Sequence, residues 1–231
     1  MSDVALVHGA YHGAWCWERV VPELEARGHR VVAMDLPSDR ADAGAREYAA
    51  AAVDAMADLD DDVTVVGHSL GGLTIPVVAS MRPVGRLVFL AAIVPVPGRT
   101  VGAALDGELP TDPAFLATST TNEDGSATFR TECVEEWFTH DAPGSTRWVA
   151  SRLRRQFWGP VTEACPIDAW PAVASSYVLC RDDRIVRPDY QRRVARELLG
   201  VTPVEMVGGH EPMVARPAEL AAVLDGIVSD R

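Results

Sequence analysis

The chain contains no lysine: all 21 of its basic residues are arginine. Without a side-chain amine it cannot form a Schiff base, anchor pyridoxal phosphate, run a Ser-Lys dyad or build a phosphate-binding P-loop. Positive charge is scarce as well. The 33 acidic residues outnumber the basic ones and leave a formal charge of −12, so the basic surface that gives affinity for nucleic acid or anionic membrane is missing. No run of about 18 apolar residues occurs, which excludes a helical membrane span. The four cysteines (Cys16, Cys133, Cys165 and Cys180) are scattered. They form no C-x-x-C pair and no zinc-ligand spacing, and read as reduced packing residues. Met1-Ser2-Asp3 leads directly into Val4-Ala5-Leu6-Val7 with no basic segment and no cleavable apolar stretch, so a cytoplasmic location is expected.

The residues that are present suffice for a full core. The chain has 231 residues, 48 % of them hydrophobic, with no internal repeat and no low-complexity linker, and it reads as one compact domain. Apolar, strand-like runs recur at 4–7, 30–34, 63–66, 86–90, 175–180 and 202–207. Helix-like segments at 15–27, 45–60, 70–81, 189–199 and 217–229 lie between or after them. Such alternation specifies an α/β fold whose mainly parallel sheet is covered on both faces. Pro76, inside the third helical segment, predicts a kink there. One connection breaks the rhythm, running from about Ala92 to about Ser175, far beyond the dozen or so residues a crossover needs. Segment 96–170 therefore reads as a cap inserted into a core made of 1–95 and 171–231. It carries Trp137, Trp148, Trp158 and Trp170, a helical-looking stretch near 145–157, and a polar, turn-rich stretch at Thr118–Ser126 that reads as a mobile excursion.

The chemistry is announced at Val63-Thr64-Val65-Val66-Gly67-His68-Ser69-Leu70-Gly71-Gly72. A β-branched run ending in Gly-X-Ser-X-Gly before a helix is the context that holds a serine up as a nucleophile. The serine must sit at a sharp, strained turn to stand clear of the sheet. Gly67 and Gly71 relieve crowding between the residues on either side, and Gly72 lets the next helix sit close to the strands. The backbone N–H of Leu70, directly after the nucleophile, is a candidate oxyanion donor.

A serine nucleophile needs a base, and the base an orienting acid. Of the six histidines (8, 12, 29, 68, 140 and 210), His210 follows the strand-like Val204-Glu205-Met206-Val207 through Gly208-Gly209. That puts it at the carboxyl edge of the sheet, where the sites of open α/β sheets collect, and makes it the expected base. The acid should leave another strand end, and Tyr177-Val178-Leu179-Cys180 runs into Arg181-Asp182-Asp183. Asp183 is the choice and Asp182 the alternative. The loop His8-Gly9-Ala10 after the first strand supplies the second oxyanion donor, Ala10 N–H. His8 and His12 brace that loop, His68 packs beside the serine turn, and His29 and His140 read as surface residues.

With these residues in place the chain resembles the α/β-hydrolase superfamily, whose order Ser…Asp…His it shares. Within it, Leu6-Val7-His8-Gly9-Ala10-Tyr11-His12-Gly13-Ala14-Trp15-Cys16-Trp17 is similar to the opening of the plant methylesterase and hydroxynitrile lyase branch. Val31-Val32-Ala33-Met34-Asp35-Leu36-Pro37, the Gly-His-Ser-Leu-Gly-Gly turn, Asp183-Arg184-Ile185-Val186-Arg187-Pro188 and Gly209-His210-Glu211-Pro212-Met213 match as well. The likeness is weakest between 98 and 130. It implies a six-stranded sheet beginning at the family's third strand, a helical cap after its sixth, Asp183 as the acid, and no cofactor or metal. Lyases of the branch resemble one another in a threonine after the first histidine and a lysine after the catalytic one. Here those positions are Gly9 and Glu211, and a carboxylate would oppose a departing cyanide. Haloalkane dehalogenases and epoxide hydrolases of the fold use an aspartate nucleophile, which Ser69 contradicts.

The expectation is a serine hydrolase that cleaves a small carboxylic ester or thioester as a monomer or homodimer, independent of nucleic acid and membrane. Its pocket should be apolar, with Trp137, Trp158 and Ile185 as candidate lining and tryptophans otherwise holding the cap together. Two alternatives share the fold: a cyclase, decarboxylase or C–C hydrolase of a specific pathway, and a ligand sensor that turns over slowly.

Overall fold

A computed structural model describes residues 2–104 and 110–230. Six strands build its framework: β1 (Asp3–Val7), β2 (Arg30–Met34), β3 (Thr64–His68), β4 (Arg86–Leu90), β7 (Ala174–Cys180) and β8 (Val204–Met206). They form one parallel sheet in the order β2-β1-β3-β4-β7-β8. A separate antiparallel pair, β5 (Ser119–Thr121) and β6 (Ala127–Phe129), lies in the long connection. The central strands β1 and β3 are buried along their whole length, as continuous Val/Leu runs flanked by helices on both faces should be. At the edge, β2 is more open.

The order of the strands locates the site. The chain begins in the interior of the sheet at β1, moves out to β2, then returns past β1 to β3 and proceeds the other way through β4, β7 and β8. The carboxyl ends of β1 and β3 therefore diverge, one towards each face, and leave a crevice between their loops. Their register pairs Val7 with Gly67, which sets His8 and His68 side by side at the rim.

Several helices differ from the sequence expectation, mostly because of proline. The stretch expected as one helix over 70–81 is a 3-10 turn, Ser69–Leu73, followed by an α-helix, Ile75–Met81. Pro76 falls in the first turn of that helix, where its missing N–H costs nothing, so no kink forms within it. In the same way, 15–27 resolves into a 3-10 turn (Ala14–Trp17) and a short helix (Val21–Glu25) opened by Pro22. The helix Ala45–Ala55 is shorter than expected and buries Ala45, Tyr48, Ala49 and Ala52, one face at helical spacing. Pro188–Glu197 and Pro217–Ser229 agree with expectation.

Of the expected insertion 96–170, residues 105–109 lie outside the described ones. The remainder is short pieces rather than a helical cap. Thr118–Ser126, expected to be mobile, forms the first strand and turn of the β5/β6 hairpin. Gly125 there takes φ +84°, and Asp124 Oδ1 accepts from Ser126 N (3.1 Å) and Ser126 Oγ (2.6 Å). Only Thr146–Ala150 of the stretch 145–157 is α-helical. The chain beyond it runs extended over the core, with Arg154 N donating to Tyr11 O (2.7 Å) and Phe157 N to Ser38 O (2.8 Å).

Further contacts fasten this connection to the sheet domain. Fully buried Gln156 accepts from Tyr11 N (3.3 Å) and donates to the Tyr48 hydroxyl (3.0 Å). The guanidiniums of Arg19 and Arg152 lie 4.6 and 4.8 Å from the Trp148 ring, and Trp15 meets that ring edge-on. Such cation–π contacts contribute about 0.5–1 kcal/mol each at partly exposed positions. Trp170 stacks on Phe89 of β4, its ring centroid 6.1 Å away.

Candidate active site

Ser69 follows β3 directly and takes φ +52°, a left-handed conformation that costs a non-glycine residue of order 1–3 kcal/mol. The surrounding glycines make the turn possible, and Gly67 does crowd Gly71 as expected. A Cβ on Gly67 would lie 2.8 Å from Gly71 O, and one on Gly71 only 2.7 Å from His8 O. Each glycine therefore clears a main-chain carbonyl. Ser69 O also accepts from Ile93 N (3.1 Å), tying the turn to the loop after β4.

His210 sits in the loop after β8 and Asp183 in the loop after β7. His210 Nδ1 lies 2.8 Å from Asp183 Oδ2, with both side chains buried. That carboxylate is saturated with donors. Oδ1 accepts from Ile185 N (2.8 Å) and Val186 N (3.0 Å), while Oδ2 also accepts from Gln191 Nε2 (2.8 Å). Because a carboxylate can only accept, His210 must carry its proton on Nδ1, which leaves Nε2 as the basic atom. Asp182 points elsewhere: its Oδ2 accepts from Gly208 N (3.0 Å) and shapes the loop leading to His210. His210 thus pairs with Asp183 and not with Asp182.

Ser69, Leu70, Ala10 and His210 line a cavity of about 290 Å³, at the small end of ligand pockets. Ile93, Val101, Phe115, Phe138, Trp158 and Ile185 give it apolar walls. Trp158 and Ile185 were expected there. Trp137 was expected too, but it meets Phe115 edge-on, centroids 5.6 Å apart, and is not among the described lining residues. A bulky ring there supports the wall instead of forming it.

The remaining histidines are spent on structure. His8 Nδ1 donates to Gly9 O (2.8 Å), and its Nε2 accepts from Leu36 N (2.9 Å). His12 Nδ1 donates to Ala10 O (2.7 Å). Burial pushes their pKa values down to about 4 and about 3, so both stay neutral near pH 7 and brace the loop as expected. Buried His68 donates from Nε2 to His210 O (2.9 Å), which anchors the base to the serine turn. His29 and His140 were expected at the surface. Instead His29 is largely buried and pairs with Asp225 (2.9 Å), and both ring nitrogens of His140 are enclosed behind Gly209.

Three contributors escape a reading of the sequence. Gln191 lies on the buried face of Pro188–Glu197 with Tyr190, Val194 and Ala195; a lone amide on an apolar helical stripe is the available signal. Asp141, in the long connection, accepts from Gly209 N (2.8 Å) and so holds the His210 loop from the far side. No local pattern marks it. Glu211 reads in sequence as a charge beside the base, yet it is fully buried. Desolvation, reinforced by the nearby Asp183 and Asp141, raises its pKa well above the usual carboxylate range. Ligand atoms of His68, His210 and Glu211 lie within 4.8 Å of one another, the one such group among the described residues.

Fold and site together define a hydrolase of the serine type. The chain belongs to the alpha/beta hydrolase family, which it matches over residues 4–223. Methylesterase 3 of Arabidopsis thaliana is 29 % identical, over 96 % of this chain and 94 % of that protein. A pyrethroid hydrolase of Sphingobium wenxiniae is 30 % identical, over 97 % and 86 %. A crystal structure of the pyrethroid hydrolase PytH superposes with a TM-score of 0.84 at 25 % identity, covering 100 % of this chain and 98 % of that one. The chain is thus an ester-cleaving enzyme of serine-hydrolase type, similar to the plant methylesterases as its motifs implied. Among the described residues no helix is long and apolar enough to cross a membrane.

Proposed function

We propose that the protein hydrolyses a small, uncharged carboxylic ester through an acyl-enzyme on Ser69. The supporting observation is the His210–Asp183 pair, 2.8 Å apart at the wall of the cavity that Ser69 also lines. His210 Nε2 takes the Ser69 proton as Oγ attacks the acyl carbon. Asp183 stabilises the imidazolium that results. The N–H groups of Leu70 and Ala10 receive the oxyanion. His210 returns the proton to the departing alcohol, then activates the water that frees the acid.

The walls define the substrate class. No arginine stands among the described lining residues, and burial raises the Glu211 pKa well above the usual carboxylate range, so the wall favours an uncharged substrate. Phe115, Leu116, Phe138, Trp158 and Val161 come from the long connection, and segment 96–170 acts as the cap that shapes the acyl and alcohol subsites. The similarity to a methylesterase and to a pyrethroid hydrolase is consistent with that reading. The scheme draws on no cofactor and suits a cytoplasmic protein.

The test is labelling by a fluorophosphonate together with hydrolysis of p-nitrophenyl esters of graded acyl length, wild type beside Ser69→Ala. Labelling at Ser69, with turnover lost in the variant and its melting temperature kept, is expected. Full activity in Ser69→Ala would refute the scheme.

A further inference from the structure

Next to the base is a polar group that the acyl-enzyme scheme leaves idle. Both carboxyl oxygens of Glu211 are buried without a hydrogen-bond partner, as is Nε2 of His12. Glu211 Oε1 and His12 Nε2 lie 3.5 Å apart. Two orphaned polar groups facing each other in an apolar interior would be costly if neither answered the other.

Hydrogen-bond logic fixes what each must be. Ala10 O can only accept, so the proton of His12 sits on Nδ1 and Nε2 of the neutral ring presents a lone pair. A carboxylate facing that lone pair would repel it, whereas a carboxylic acid supplies the missing donor. Charge around the pair points the same way. Glu211 faces His12 from the β1 loop, Cys16 from the turn after it, His68 from β3, Cys180 and Asp183 from the end of β7, and Asp141 from the long connection, with His210 beside it. Two of these neighbours are acids and none is an arginine. The 3.5 Å separation is within reach of a hydrogen bond, and the terminal torsion of a glutamate is soft.

We propose that Glu211 is a positioning residue for ester cleavage: its acid O–H donates to His12 Nε2, and His12 Nδ1–H holds the Ala10 carbonyl, which anchors the peptide that follows Ala10 and so restrains the loop that carries the Ala10 N–H. The inference rests on the serine-esterase reading of the site. It links the loop that carries the base to the loop that carries an oxyanion donor, so the two halves of the machinery keep register. In this role Glu211, which also lines the cavity beside Ser69, acts through His12 and not on the reacting atoms.

The experiment compares Glu211→Met, which keeps the bulk but removes the donor, with Glu211→Gln, whose amide can donate to His12. The Met variant should lose about 10-fold in kcat, less than the 10²–10³-fold loss on outright removal of an oxyanion donor, with KM within about twofold. The Gln variant should recover most of that loss. In the wild type, nitrogen-15 NMR at pH 7 should show His12 protonated at Nδ1 and bare at Nε2, a readout independent of whether either variant folds. Equal impairment in Met and Gln, an unimpaired Met variant, or a proton on His12 Nε2 would overturn the proposal. Fluorophosphonate labelling separates the two levels. If wild-type Ser69 is not labelled, the esterase scheme itself fails; if it is labelled while Met and Gln behave alike, only the role of Glu211 fails.

Discussion

Replacing Asp183 by asparagine exchanges one oxygen for an amide nitrogen and sets up a conflict whose outcome the hydrogen bonds decide. The native carboxylate accepts four bonds, two backbone N–H groups on Oδ1 and the Gln191 amide and His210 ring on Oδ2. Asparagine can place its nitrogen on either side. On the Oδ1 side it would orphan two buried backbone donors, at about 1–3 kcal/mol each. On the Oδ2 side it orphans only the Gln191 amide, which cannot simply turn over because Nε2 also donates to Val186 O (2.6 Å). The second arrangement is the cheaper one. It places a donor against His210 Nδ1 and forces the ring into its other tautomer, with the proton on Nε2 and no lone pair for Ser69. An orienting acid lost in this way costs about 10⁴ in kcat, or ~5 kcal/mol of transition-state stabilisation. Stopped-flow release of p-nitrophenol at pH 7 measures it, with Asp182→Asn as the control, expected within a few-fold of wild type. A loss below tenfold in Asp183→Asn, or a larger one in Asp182→Asn, would refute the assignment.

Gln191→Leu removes one charge-assisted bond from Asp183 and should lower kcat about tenfold at unchanged KM; steady-state kinetics across ester concentrations checks it, and a KM effect alone would place Gln191 in binding instead. Acid should destabilise the fold through His8 and His12. Their folded pKa values, about 4 and about 3, lie below the value of about 6.5 for an unfolded chain. The unfolded state therefore binds more protons in that interval, and stability present above pH 6.5 falls as pH drops towards 4. Each histidine removes up to ~1.4 kcal/mol per pH unit. Melting temperatures that stay flat from pH 6.5 to 4.5 would contradict their burial as neutral rings.

The sheet and the serine turn are readable from sequence because both are local. Continuous Val and Leu runs announce β1, β3 and β4, and Gly-X-Ser-X-Gly at a strand end has few structural uses. His210 and Asp183 are accessible for a related reason, since each follows a strand end on one edge of one sheet. The features that escape are non-local or governed by proline position. Pro76 and Pro22 open short helices where an uninterrupted apolar period suggests longer ones. The Thr118–Ser126 turn takes its order from its own side chains and from an ion pair between Asp124 and Arg155, 31 residues away. Glu211 illustrates a different limit. A glutamate between histidine and proline reads as a charge beside the base, and only its burial, with Asp183 and Asp141 nearby, raises its pKa well above the usual carboxylate range.

The bond from Gly209 N to Asp141 Oδ2 means that the insertion is not a detachable lid. A segment that walls the cavity also supplies one of the struts under the His210 loop, so in the proposed scheme specificity and catalytic competence are inherited together. Grafting a foreign insertion between β4 and β7 to change the ester accepted would release the His210 loop unless an acceptor is carried along at the position of Asp141. Libraries built on this scaffold should vary Phe115, Leu116, Phe138 and Val161 in place and leave 139–142 untouched.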